Sequence, residues 1–259
     1  MKRRTLLMSG SILPAAFAAQ TVSAKTAENP LTQTDPDFSA IEEYLLKVEM
    51  PKAGQMPVKT RCMVTLAVLT TIGGLSRFSE ATEEALKAGM STVEIKETLY
   101  QCAPYIGITR VETALDAVNA ALKSLGQNPT PASQSTVNEA NRFEKGLAVQ
   151  KGIFGEAIDK MHASTPKELE YINKQALTAY CFGDFYTRKG LDLKAREIIT
   201  FTAIMCLGGC EPQLHAHTGG NLSVGNTRQN LIDTIMVAMP YIGFPRTLNA
   251  LAVVNEIAK

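Results

Sequence analysis

The 259-residue chain has no tryptophan, only 6% aromatic residues and only three histidines. Any imidazole-based chemistry therefore has few places to sit. Cysteine is also scarce: five residues, odd in number and irregularly spaced, do not make a disulfide framework even in an oxidising compartment. Neither sign of charge dominates, with 26 basic against 25 acidic groups, and no basic cluster follows the N terminus. Nothing there draws the chain to nucleic acid or to an anionic membrane. Runs of alternating apolar and polar residues closed by turn dipeptides are missing, which argues against hairpins and a β fold. What is present is a 45% hydrophobic composition, ordinary for a globular chain long enough for one large or two small domains.

The N terminus has a different character. Lys2-Arg3-Arg4 leads into an apolar stretch too short and interrupted to span a bilayer, ending in the small residues Val22-Ser23-Ala24. That order reads as a cleaved export signal over 1–24, followed by a linker over 25–38. Arg3-Arg4-Thr5-Leu6-Leu7 resembles a twin-arginine signal, so the expected location is periplasmic. The segment 1–24 holds three of the basic residues and no acid. The remainder thus carries 23 basic against 25 acidic groups, a net charge near −2, with no membrane attachment expected of the mature form.

Self-similarity is the strongest positive signal. Cys102-Ala-Pro-Tyr-Ile-Gly-Ile-Thr-Arg110 returns 136 positions later as Ala238-Met-Pro-Tyr-Ile-Gly-Phe-Pro-Arg246, and Ala114-Leu-Asp-Ala-Val-Asn119 returns as Ala250-Leu-Ala-Val-Val-Asn255. Upstream, Val58-Lys-Thr-Arg61 is answered by Leu193-Lys-Ala-Arg196 at a distance of 135. One extra residue in the second copy, before Gly225 (the partner of Gly89), accounts for the slip. The chain reads as a first repeat over 39–126, a polar Pro-containing linker over 127–135 and a second repeat over 136–259. Each copy reads as helices. Glu80–Gly89 ends at a glycine suited to a helix C-terminus. Ser91 with Glu94 three residues on is a capping-box pattern, and Val93, Ile95, Leu99 and Tyr100 can share one inward side. Residues 141–155 and 166–186 also look helical. The fold class is therefore all-α, two tandem helical repeats.

The copies differ where chemistry is possible. Glu197 faces Cys62 in the alignment, and His217 faces Ala81. The second copy keeps an acid and a base where the first keeps neither. This pattern fits one functional site beside one scaffold, or else a surface ion-pairing glutamate and a hydrogen-bonded helix histidine. His215 and His217, two apart, point about 200° from each other on a helix, so no metal site is expected. Gly219-Gly220 falls within the same helix at a cost of about 1 kcal/mol per glycine. Either something approaches the backbone there or the helix breaks.

Three stretches carry a family resemblance: Arg142-x-Glu144-x-Gly146 leading to Phe154-Gly155 and then Tyr180-Cys-Phe-Gly-Asp-Phe-Tyr186; Leu191–Ile199 with His217 and Gly225; and Pro240–Arg246 with Asn249-Ala-Leu251. The chain resembles the carboxymuconolactone decarboxylase family, which shares its helical fold with alkylhydroperoxidase D. The peroxidase branch carries Cys-x-x-Cys with a histidine four residues on. Here Cys210 occupies the first position and Gln213 the second, and a dithiol cycle needs a resolving thiol. A single-thiol activity at Cys210 stays open as the alternative, as does a non-catalytic ligand-binding scaffold. The decarboxylase branch implies acid–base chemistry without a cofactor. His217 would be the general acid and Glu197 its partner, with Arg196 or Gln213 facing the developing oxyanion and His215 or Arg246 binding the substrate's anion. For Arg246, matched by Arg110, a structural ion pair at a helix corner is the other reading. Family members associate into rings, which implies a homo-oligomer, a trimer of two-repeat chains, acting on a small-molecule substrate.

Overall fold

The computed structural model describes residues 31–259. The export-signal expectation for 1–24 lies outside the described residues, as does 25–30. Leu31–Thr34 (α1) lies within the expected linker, and Pro36–Tyr44 (α2) runs from it into the first repeat. Pro36 stands at a helix start, where its fixed φ suits and its missing N–H is not needed, and Asp37 adds an acid to the first turn. The described residues form helices and no strand, and none of these helices is long and apolar enough to cross a membrane.

Residues 43–259 form one compact unit, so the sequence repeats are not separate bodies. After the short π-helix Leu45–Glu49 and α3 (Met50–Ala53), the first repeat runs through α4 (Val58–Ile72), α5 (Phe78–Lys87), α6 (Thr92–Ile106) and α7 (Ile108–Ser124). The second repeats that order in α10 (Leu193–Leu207), α11 (Glu211–Ser223) and α12 (Arg228–Ile257). Ser91 and Thr227 close matching capping boxes on α6 and α12, through Glu94 and Asn230. α12 is two helices end to end, broken at Gly243 (φ 73°), where Gly107 (φ 88°) separates α6 from α7. Positive φ there requires glycine, which is why the Pro-Tyr-Ile-Gly corner recurs in both copies.

α4 and α10 are buried on almost every side, the pattern of a central helix. Ile199 and Ala203 of α10 join the apolar cluster built on Leu66, Leu99 and Val118, while Val64 and Val68 of α4 join the cluster around Phe201 and Leu231. Each repeat completes the other's core. Along α6, Ile95 and Leu99 are buried as the periodicity predicts, whereas Val93 and Tyr100 are only partly covered. Their places inside are taken by Glu97 and Gln101, polar side chains that the hydrophobic pattern does not flag.

Ahead of α10, in the opening part of the second repeat, α8 (Arg142–Phe154) and α9 (Ala157–Ser164) precede a second π-helix, Tyr171–Tyr186. In an α-helix, residues 177 and 186 would sit about 180° apart. The wider i→i+5 ladder instead brings Leu177, Cys181, Phe182 and Tyr186 into one cluster. α8 crosses this π-helix at backbone contact. A Cβ on Gly183 would lie 2.2 Å from the Arg142 carbonyl oxygen, and one on Gly146 would lie 2.3 Å from that of Thr178. An Arg142–Asp184 ion pair and a 2.9 Å Thr178–Gln150 hydrogen bond fasten the crossing. Gly183→Ala should therefore lower unfolding free energy by about 1–3 kcal/mol or more, read by denaturant titration, because rigid backbone has to move.

Candidate active site

α10 supplies Glu197 and α11 supplies His217. Asp192 caps α10 by accepting the Ala195 N–H at 2.8 Å, and residues 196–206 are all buried. Glu197 is fully buried and His217 keeps 7% exposure. His217 Nδ1 lies 2.9 Å from Glu197 Oε2 and 3.3 Å from Oε1. Asn221 Nδ2 donates to the carbonyls of both residues, at 3.0 Å to Glu197 and 2.7 Å to His217, fixing one helix against the other. The helix runs unbroken through Gly219 and Gly220. What approaches the backbone is the carboxylate: a Cβ on Gly220 would lie 2.7 Å from Glu197 Oε2, and 3.1 Å from both Ile153 Cγ2 and Phe154 Cε1. Around Gly219 the space is open.

Further donors converge on the same carboxylate. Tyr186 O–H donates to Glu197 Oε1 at 2.7 Å. With its one proton spent there, Tyr186 accepts from Tyr105 (3.0 Å) and Thr200 (2.8 Å). Cys181 donates to Tyr105 at 3.4 Å, and Gln101 Nε2 donates to Thr200 at 3.2 Å. Burial pushes the phenols of Tyr105 and Tyr186 well above their ordinary range and the Cys181 thiol up to about 12, so all three stay protonated as donors. The imidazole stands edge-on to two rings, those of Tyr105 and Phe154, each with centroids 5.3 Å away at 88°. No described residue hydrogen-bonds His217 Nε2.

The other expected site residues lie elsewhere. Arg196, expected to face a developing oxyanion, instead has both Nη atoms engaged within the protein. It is fully buried, with Nη1 donating to Gln101 (2.9 Å) and Nη2 to Glu97 (3.1 Å) and the carbonyls of Arg188 and Lys189. That is a structural role, since removing one partner of a buried pair strands the other. Gln213 is exposed one turn before His217. His215 turns away from His217: Nδ1 bonds the Glu211 carbonyl at 2.8 Å and Nε2 lies 3.0 Å from Glu256. No group of three potential metal ligands occurs among the described residues. Cys210 is partly exposed at the start of α11 and shares a cavity of about 10 Å³ with Arg246, which is exposed and lies over Gly208.

Tyr105, Phe154, Tyr186 and Asn221 are the neighbours that sequence reasoning missed. Tyr105 was visible only as part of the repeated Pro-Tyr-Ile-Gly corner, which reads as a turn. The internal alignment held a fuller signal. Besides Cys62 and Ala81, the first copy has Glu84 and Ala85 at the positions of Gly220 and Asn221. All four residues that build the pair are thus replaced together.

The cysteines differ in access. Cys62, Cys102, Cys181 and Cys206 are buried, and burial pushes the Cys206 thiol up to about 12. Iodoacetamide applied to the native protein at neutral pH should modify Cys210 first and leave those four until unfolding, read by peptide mass mapping.

The carboxymuconolactone decarboxylase family matches this chain twice, over residues 36–120 and 173–256, together more than half of its length. A 4-carboxymuconolactone decarboxylase of Acinetobacter baylyi is 23% identical over 123 residues, 48% of this chain and 91% of that protein. A nitrosuccinic acid decarboxylase of Metarhizium robertsii is 24% identical over 127 residues, 48% of this chain and 88% of its own. An uncharacterised 15.0 kDa protein of Paracoccus denitrificans is 32% identical over 77 residues, 29% of this chain and 58% of its own. The first two are spanned almost whole by half of this chain, as a duplicated unit requires. The chain belongs to the carboxymuconolactone decarboxylase family, as a tandem all-α member.

Proposed function

We propose that the second repeat, completed by Tyr105 of the first, forms a cofactor-independent acid–base site that decarboxylates or isomerises a small carboxylated lactone or a related acid. One observation carries this reading: a histidine bonded through Nδ1 to a buried glutamate and held edge-on between two aromatic rings, with Nε2 unclaimed. The substrates in the names of the two decarboxylase relatives share a feature. A conjugated lactone carbonyl or a nitro group can take up the electron pair that departing carbon dioxide leaves behind. The substrate is then its own electron sink, and the protein has only to orient it and return a proton to carbon. Protonated His217 would deliver that proton from Nε2, while Nδ1–H stays on Glu197 and keeps the ring in place. Tyr105 and Phe154, packed at right angles to the imidazole, stop it from swinging.

The test is turnover of 4-carboxymuconolactone and a panel of related acids. His217→Ala should lose about 10²–10⁴-fold in kcat/KM with an unchanged circular dichroism spectrum. Tyr105→Phe keeps the ring but breaks the donor chain, and should show a smaller loss. Unchanged turnover in His217→Ala would remove the assignment.

A second reading, thiol-dependent peroxide reduction, rests on Cys210. It is the partly exposed cysteine among the described residues, at the start of α11 and lining one small cavity with Arg246. Peroxide turnover lost in Cys210→Ser and retained in His217→Ala would select it. Either reading takes the protein as a homo-oligomer, with Ile108, Phe244 and Leu248 as exposed apolar surface. Light scattering should give about three times the mass of one chain, and a monomer would exclude the trimer.

A further inference from the structure

The first repeat has a cleft of about 230 Å³ between α6, α7 and the inter-repeat linker, lined by Lys96, Tyr100, Asn119, Lys123 and the segment Pro129–Pro131. His217 is not part of its wall. Lys96 is only 6% exposed, yet no described residue gives its ammonium an ion pair or a hydrogen bond. Burial accordingly pushes its pKa down. Asn119 Oδ1 is buried without a donor. One buried oxygen is thus left without a donor in a concavity that also holds an unpaired ammonium, and a buried polar atom is costly unless something binds it.

The second repeat shows that neither feature is required by the fold. At the positions of Lys96 and Tyr100 it carries Ile232 and Met236. Asn255, the partner of Asn119, has its Oδ1 satisfied by Arg228 Nη2 at 2.5 Å. In the first copy that arginine is replaced by Thr92, too short to reach, and the oxygen is left bare. The walls are held in place. The Arg188 guanidinium lies 5.3 Å from the centroid of the Tyr100 ring, and Asn128 locks the linker by accepting the Thr130 N–H at 2.9 Å and donating to the Thr130 carbonyl at 3.1 Å.

We infer that this cleft binds a small hydroxy acid, its carboxylate between the ammoniums of Lys96 and Lys123 and its hydroxyl donating to Asn119 Oδ1. A volume below the usual drug-sized range of about 300–1,000 Å³ limits the ligand to metabolite size. The copy that lacks the acid–base pair thus has a recognition site of its own.

Isothermal titration of the full chain with malate, tartrate and succinate tests this. Malate and tartrate should bind once per chain and more tightly than succinate, which lacks the hydroxyl. Lys96→Ile installs the side chain the second repeat already uses, and should weaken malate binding about tenfold or more. It should melt no lower than the parent, because an isoleucine already fills the matching position of the second repeat, so a lost site is distinguishable from a lost fold. Lys123→Ala, at an exposed position, should give a smaller loss. Asn119→Leu should bring malate down to the level of succinate, and His217→Ala should bind malate as the parent does. No binding of any of the three acids to the parent, undiminished binding in Lys96→Ile, or loss in His217→Ala would overturn the assignment.

Discussion

A carboxylate with no exposure to water has to find its donors inside the protein, and Glu197 collects them from helices of both repeats. Tyr186 comes from the π-helix, His217 from α11, and behind Tyr186 stand Tyr105 of α6 and Thr200 of α10. Gln101 joins this chain to Arg196, which in turn binds Glu97, itself held bidentately by Arg188. From Arg196 through Gln101, Thr200 and Tyr186 the hydrogen bonds run toward the Glu197 carboxylate, while Arg196 and Arg188 also donate to Glu97. Such a network fixes geometry because a partly satisfied one is worse than none. The positions of α6, α10, α11 and the π-helix are thus tied to one another by a few polar contacts inside an otherwise apolar interior.

The two repeats share a scaffold and differ in what it carries. Both keep the glycine break after the tyrosine corner, the capping box and the central helix. Only the second keeps the glutamate, the histidine, the small residue that lets them meet and the asparagine that staples their helices. Glu84 at the position of Gly220 is informative: a long side chain occupies the place where the second copy needs empty space for its carboxylate. Once the pair is gone, the constraint on that position is gone too.

Much of this was legible in the sequence, for identifiable reasons. Repeats, capping boxes and positive-φ glycines are local, and Ser91, Gly107 and Gly243 behave as their chemistry dictates. The helical class follows from periodicity in the same way. The pairing of Glu197 with His217 came from comparing the copies, since their spacing of twenty residues does not reveal contact. Arg196 misled because a charged residue beside a site suggests a ligand contact. Its actual partners, Glu97 and Gln101, lie about a hundred positions away, on a helix whose apolar pattern gives no hint that polar groups point inward. Composition marks 166–186 as helical but does not distinguish an i→i+4 from an i→i+5 ladder, so the inward turn of Tyr186 is not legible.

Tyr105 belongs to the half of the molecule that holds neither the acid nor the base. Its ring nonetheless packs at right angles to the imidazole, and its hydroxyl bonds Tyr186, which holds the glutamate. The half without the acid and the base is thus part of the histidine's surroundings: without it the imidazole loses one of its two packed rings and Tyr186 one of its donors. The two copies have become interlocked, each finishing an interior that the other begins.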